Sequence, residues 1–360
     1  MLRLYNDMSL DEIAAKVGKT RQYLHKLETG QTQPTAELIH ELSDLLHVMP
    51  EIFTHMKPVL QEEQIHFRSK RTSRQLAKKV VVSRGDYITR LVGYIDTKLK
   101  LPVYAMPSFG NSESLDVNDI ERIAEDCRNQ WGLGLGPISS MSRLCENLGI
   151  VVTSFPSISK EVDALSLATK RPVIVRNEAK ESACRQRFDI GHELGHLVLH
   201  DAVVTGDHFT ESQANRFSGA FLIPRAMMKT HLPSLFRGRF NWTEMGEFKK
   251  TWKVSKAAIL YRARQLDLLS QEQYLSGVIY LKRTGEATTE KEDYLIAKEE
   301  PELLMNCFKA LAKKGIYAED ISSALSVTPE FLEELTNLAI PRKPTSSDDR
   351  IRAPSLRIVE

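Results

Sequence analysis

Apolar residues along the opening fifty positions recur at helical spacing and are broken by turn signals. Ile13, Ala14 and Val17 share one face of a short segment that Ser9-Leu10-Asp11-Glu12 opens as a capping box, with Ser9 at the N-cap and Glu12 at N3. Gly18 supplies a stop, Thr20 caps a second short helix that buries Leu24 and Leu27, and Gly30 ends it. Leu38, Leu42, Leu45 and Leu46 predict a further helix over 36–47. The pattern is two short helices joined by a turn, followed by a third.

Periodicity changes further along. Segments 117–131 and 138–147 read as helices. Gly149-Ile150-Val151-Val152-Thr153 is β-branched and apolar, and Pro172-Val173-Ile174-Val175 reads as a strand with Pro at its start. Ala164 to Ala168 fits as the pairing arm of a hairpin with it. Long helical patterns follow at 183–200 and 211–222, the latter stopping before Pro224. Residues 253–268 are helical, and 301–338 read as several short helices. No internal repeat is read, and 276–360 carry no legible motif.

Composition changes this picture little. The 360 residues are 42% hydrophobic and 27% charged with a net charge of +2, ordinary for a globular chain of two or three domains. Cys127, Cys145, Cys184 and Cys307 are scattered without a C-x-x-C pair, so free buried thiols are expected. No run of about 18 apolar residues is present and the first residues lack a signal-peptide core, so a cytoplasmic protein is expected. Charge matters locally. Between His66 and Gly85 stand Arg68, Lys70, Arg71, Arg74, Lys78, Lys79 and Arg84 without an acid, which predicts a basic, partly helical connector.

The strongest chemical signal is Gly191-His192-Glu193-Leu194-Gly195-His196. Histidines four apart on a helix lie one turn apart on one face, so both imidazoles can reach one ion, and neutral imidazole suits Zn²⁺. Glu193 points beside that ion and is the expected general base. Ile190, Leu194 and Leu197 form the opposite, core-facing stripe. The same spacing arises by chance on surface helices, but the apolar flanks and the strands before it favour a buried site.

For a third ligand, His200 continues the series but lies about 12 Å along the axis from His192, too far for one ion. The all-histidine pattern would need Gly at 199 and His at 202, where the chain has Leu199 and Ala202. Glu211 is the candidate, although a carboxylate opening a helix is also favourable simply as an N-terminal charge. Asn215, one turn on, can hold a ligand histidine from behind. Arg187, His200, His208 and Tyr261 are all conceivable oxyanion donors, and nothing in the sequence selects one.

Arg187-Phe188, His192-Glu193-Leu194-Gly195-His196, Glu211-x-x-Ala214-Asn215-x-Phe217 and Leu222-Ile223-Pro224 together resemble the ImmA/IrrE metallopeptidases, a likeness covering roughly 70–270. It implies a zincin-like α+β domain, zinc on His192, His196 and Glu211, Glu193 as base, and a narrow protein substrate, typically a helix-turn-helix repressor. Gln213 stands where many members carry a second acid. Asp163-Ala164-Leu165-Ser166 replaces a more usual Gly-containing turn.

Residues 9–53 resemble the Cro/repressor-type (XRE) helix-turn-helix. That likeness places Thr20, Arg21, Gln22 and Lys26 in the major groove of double-stranded DNA. Against it, residues 1–50 hold five basic and seven acidic residues, and Leu10 sits where many members use Gln.

The expectation is an α+β multidomain protein: an all-α helix-turn-helix domain (1–57), a basic helical connector (58–110), a zincin-like domain (111–275), a mostly helical C-terminal region (276–340) and a mobile tail (341–360). Its expected function is zinc-dependent, site-specific endopeptidase action on a helix-turn-helix repressor, inducing gene expression, with Zn²⁺ as cofactor, DNA as a partner and no membrane. Homodimerisation is a further expectation, since regulators of this type often pair. The rival is a DNA-binding regulator or antitoxin-like protein whose peptidase-like domain is a sensor or partner-binding module.

Overall fold

Local capping chemistry sets the first helices. In the computed structural model, which describes residues 2–55, 59–60, 64–69, 75–107, 109, 115–155, 162–177, 182–200, 203 and 205–344, the chain opens with α1 (Leu2–Tyr5) and α2 (Leu10–Lys16). Ser9 Oγ accepts from Glu12 N at 3.1 Å while Ser9 N donates to Glu12 Oε2 at 2.6 Å, the reciprocal box its residues predict. Thr20 caps α3 (Arg21–Glu28), and Thr35 caps α4 (Ala36–Leu46). Ile13, Ala14, Leu24, Leu38 and Leu46 bury the shared face. A short α5 (Ile52–His55) follows.

The connector departs from the expectation. Residues Ile65–Ser69 form a strand, β1, and a single long helix α6 (Gln75–Lys98) runs well past the basic stretch. Charge alone could not foresee this, because what fixes β1 is its antiparallel pairing with a strand a hundred residues away. Arg84, one of the basic residues, is buried and donates from Nε to Tyr5 O at 3.2 Å, so it belongs to no solvated face. Lys70, Arg71 and Arg74 lie outside the described residues, as do Ser108, Gly110 and Asn111 of the break after 107 and the tail from 345 on.

Helices α7 (Val117–Gln130) and α8 (Met141–Asn147) lead into β2 (Val151–Ser154), β3 (Val162–Leu167) and β4 (Val173–Arg176). The sheet order is β1-β3-β4-β2, with β2 parallel to β4 and the other pairs antiparallel. Strand alternation splits the molecule into two cores. Val151, Leu165, Leu167, Val173 and Val175 join a cluster with α6 and the N-terminal helices, whereas Val152 and Ile174 join a second cluster with the helices that follow the sheet.

Those helices are α9 (Ala183–Leu199), α10 (His208–Leu222), α11 (Arg225–Leu235), α12 (Trp242–Trp252), α13 (Lys256–Gln265) and α14 (Gln271–Arg283). Glu121 of α7 ties them together, accepting from Arg262 Nη2 at 2.6 Å and Arg216 Nε at 3.0 Å. Beyond α14 the chain is largely irregular until α15 (Leu303–Lys313), α16 (Ala318–Leu325) and α17 (Pro329–Thr336). These three pack into the N-terminal cluster: Phe331 stacks on Tyr5 at 4.1 Å between ring centroids and meets Tyr87 edge-on. The cores therefore do not follow chain order, since the first and last helices share one.

Candidate metal centre and nucleic-acid face

Two glycines explain why α9 and α10 can cross so closely. A Cβ on Gly191 would stand 2.6 Å from Ser218 Oγ, and one on Gly195 would stand 3.0 Å from the Phe217 ring and 3.3 Å from Ala214 O. With nothing but hydrogen there, α10 lies against the histidine-bearing stretch of α9. Asp207 caps α10 through Phe209 N and Thr210 N, so the helix begins at His208, three residues earlier than the pattern suggests. Glu211 thereby sits one turn inside α10, facing the histidines.

His192 Nε2 and His196 Nε2 stand 3.0 Å apart, and Glu211 reaches them with Oε2 at 3.3 Å and Oε1 at 3.4 Å. One donor atom from each lies within 4.8 Å of the others. Both histidines are fully buried. Burial works to raise the Glu211 carboxyl, but the two imidazoles beside it hold it far below the usual carboxylate range. Three donors converge on one point, and Glu211 Oε1 is buried there without a hydrogen bond of its own. Two neutral imidazoles and a carboxylate are a donor set that suits a zinc ion.

The far sides of both rings are held. His192 Nδ1 lies 3.1 Å from Asn215 Oδ1, an acceptor, which puts the ring proton on Nδ1 and the lone pair on Nε2. Behind His196 runs a relay the sequence reading did not find. Gln213 Oε1 accepts from His200 Nε2 at 2.8 Å, leaving His200 Nδ1 as acceptor for His196 Nδ1–H at 2.8 Å. Burial pushes His200 down to about 4, so it stays neutral and can accept. Gln213, the departure from the acid of the resembled family, fixes two tautomers in sequence.

Glu193 is fully buried, and Ser166 Oγ donates to its Oε2 at 2.7 Å. Asp163-Ala164-Leu165-Ser166 is therefore no turn here; it lies within β3, with Leu165 and Leu167 on one face and Ser166 on the other. His66 of β1 stacks on His196, the rings 5.3 Å apart and 8° from parallel. Its Nδ1 lies 2.9 Å from Thr205 Oγ1, its Nε2 is buried without a partner, and burial pushes its pKa down to about 3. Ser166 and His66 had no signal in the sequence beyond strand alternation.

The other oxyanion candidates lie elsewhere. Arg187 is buried against Glu299 and Ile138 O, and Glu299 also accepts from Met141 N and Ser142 N at the start of α8, a structural clasp. His208 and Tyr261 are exposed, and His200 is engaged in the relay.

In the N-terminal unit, Arg21, Gln22 and Lys26 are exposed on α3. Thr20 Oγ1 accepts from Tyr23 N at 3.2 Å and so serves as the cap. Arg21 lies 3.5 Å from Asp11, a weak exposed pair. Among the described residues no helix is long and apolar enough to cross a membrane.

With the geometry in view, comparison with protein families gives two matches. Residues 145–264 match the IrrE N-terminal-like domain of peptidase family M78, and residues 1–53 match a helix-turn-helix family. Both resemblances read from motifs are thereby met: the chain carries a helix-turn-helix DNA-binding domain followed by an ImmA/IrrE-type peptidase-family domain. Comparison with curated proteins returned no match.

Proposed function

We propose that the chain is a zinc-dependent, site-selective endopeptidase whose substrate is a helix-turn-helix repressor and whose own N-terminal unit binds double-stranded DNA. The observation that carries this reading is the convergence of His192 Nε2, His196 Nε2 and the Glu211 carboxylate, each histidine anchored from behind. These three residues would hold the ion. The chemistry zinc supplies in such a site is Lewis acidity toward a peptide carbonyl and activation of water near neutral pH.

The chain's own residues do the rest. Glu193 takes the proton from the attacking water at its carboxylate and delivers it to the leaving amine, while Ser166 Oγ–H fixes the carboxylate's orientation. His66, kept neutral by burial, has Nδ1 2.9 Å from Thr205 Oγ1; in the tautomer where Thr205 donates, the ring proton sits on Nε2 and can be given to the developing oxyanion. His192, His196 and Glu193 are fully buried, whereas the Glu211 side chain keeps 22% exposure and marks the open side of the cluster.

Zinc content per purified chain tests the ligand set: about one per wild-type chain is expected, falling in both His192→Ala and Glu211→Ala. Activity is tested by N-terminal proteomics of cells expressing wild type or Glu193→Gln. New termini that depend on Glu193 and fall within helix-turn-helix proteins are the expected result. Full metal loading without any Glu193-dependent terminus would refute the peptidase reading and favour a regulator whose metal domain senses or binds a partner.

A further inference from the structure

The last helices repeat the first ones. Shifted by 308 positions, Ser9–Thr29 falls on Tyr317–Asn337 without a gap, so that α2 and α3 coincide with α16 and α17. Four positions are identical: Ile13/Ile321, Thr20/Thr328, Leu24/Leu332 and Leu27/Leu335. The structural roles coincide more closely than the letters. Ile13 and Leu24 are 4% exposed, and Ile321 and Leu332 are 0% and 1%. Thr20 and Thr328 each cap the second helix by accepting from an aromatic residue's N–H, Tyr23 and Phe331, both at 3.2 Å. The turn residue before each cap is left-handed, Gly18 at φ 60° and Ser326 at φ 55°. At the first helix, Asp320 accepts from Tyr317 N as Glu12 accepts from Ser9 N.

What has changed is the outward face of the second helix. Where α3 carries Arg21, Gln22, His25 and Lys26, α17 carries Pro329, Glu330, Glu333 and Glu334. A reading helix built that way repels phosphate rather than neutralising it. The chain's own C-terminal residues already take up this charge: Arg342 lies 3.1 Å from Glu330 and 2.9 Å from Glu333, and Lys343 lies 2.6 Å from Asp320. The turn of the second unit is also engaged, by the end of the first. Val48 and Val327 form a β-bridge, with Met49 N donating to Ser326 O at 3.0 Å and Thr328 N to His47 O at 3.1 Å.

We propose that residues 317–337 are a second, degenerate helix-turn-helix that has lost nucleic-acid reading and serves as the intramolecular partner of the first. One chain then presents a single reading helix, α3, and engages duplex DNA at one half-site without a second subunit. The DNA half of this inference rests on the DNA-binding reading given above; the partnership half rests on packing alone.

Both halves are testable on the full-length chain. A photo-crosslinking residue replaces Gln22 in one protein and Glu330 in another, each mixed with random-sequence duplex at about 50 mM salt, where backbone contacts are strong. Crosslinks from position 22 only, in complexes of one chain per short duplex, are expected. Arg21→Glu/Lys26→Glu should weaken binding at least tenfold, and Glu330→Gln/Glu333→Gln should change it less than twofold. Crosslinks from position 330, or two chains as the smallest complex, would overturn the single-reader inference. Absence of DNA binding by the wild type would instead overturn the DNA-binding reading itself. Hydrogen exchange judges the partnership independently: Phe331→Ala should lower amide protection over 2–28 and leave 183–222 unchanged. Unaltered protection over 2–28 would overturn it.

Discussion

Gly191→Ala is the substitution whose outcome the structure specifies most sharply. The new Cβ would meet Ser218 Oγ at 2.6 Å, and that hydroxyl cannot simply rotate, because it is fully buried and donates to Phe188 O at 2.8 Å. Displacing it leaves a buried hydroxyl unsatisfied at a cost of about 1–3 kcal/mol. Alanine recovers about 1 kcal/mol of helix propensity over glycine. The net expectation is a destabilisation of about 1 kcal/mol, accompanied by retreat of α10 and weaker zinc binding through Glu211. Ser218→Ala alone costs about 1 kcal/mol by losing the bond to Phe188. In the double variant the next contacts are Ser218 Cβ at 3.5 Å and Met141 Cε at 3.7 Å, ordinary van der Waals distances. Helix gain and hydrogen-bond loss then roughly cancel, so the double variant should match wild type, a coupling of about 2 kcal/mol. Urea unfolding of the four proteins in chelator, with zinc affinity measured alongside by competition, reads out both effects. Additive free energies in that cycle would refute the close-crossing argument.

Three further outcomes are expected. Gln213→Met removes the acceptor that sets the His200 tautomer, so zinc affinity should fall about tenfold to a hundredfold, while Gln213→Glu restores it; equal affinities in all three proteins would discount the relay. His66→Phe keeps the stacked ring but no donor, so zinc content should persist while turnover drops about a hundredfold or more, and undiminished turnover would remove His66 from the chemistry. Glu121→Gln leaves Arg262 buried beside a neutral amide and should cost about 3–5 kcal/mol in chemical denaturation. Burial raises the Glu121 carboxyl, but Arg262 and Arg216 outweigh it and hold the folded-state pKa below that of a free glutamate. Its contribution is therefore complete above that value and is lost as pH falls through the lowered folded pKa; a wild-type acid limb no steeper than that of the variant would contradict this assignment.

The parts of the site that lie close together in sequence were legible. His192, Glu193 and His196 share one helix, and period 3.6 alone puts the histidines together. Glu211 and Asn215 needed only a reversal of the chain after α9. Ser166 and His66 come from two strands whose pairing depends on tertiary packing, and no local signal marks a serine or a histidine as facing a particular carboxylate or ring. The Gln213–His200 relay depends on how closely α10 lies on α9, which the glycines permit but whose angle they do not announce. The helix-turn-helix copy at the other end of the chain escaped notice because its polar positions diverged. Beyond four identical positions, what it shares with the first is burial, capping and backbone handedness, properties that become visible only when the chain is folded.

One consequence of β1 concerns how motion at the N-terminal unit can reach the site. His66 stands on the strand that follows the helix-turn-helix directly, paired with Ser166 across the ladder, and the register skips a residue between Arg68 and Ser69. Side chains alternate faces along a strand, so a slip of one residue, about 3.3 Å, would carry His66 from above His196 to the opposite side of the sheet. There is no intermediate position. Pairing of this kind can offer the imidazole to the site or withhold it, but cannot shift it by degrees.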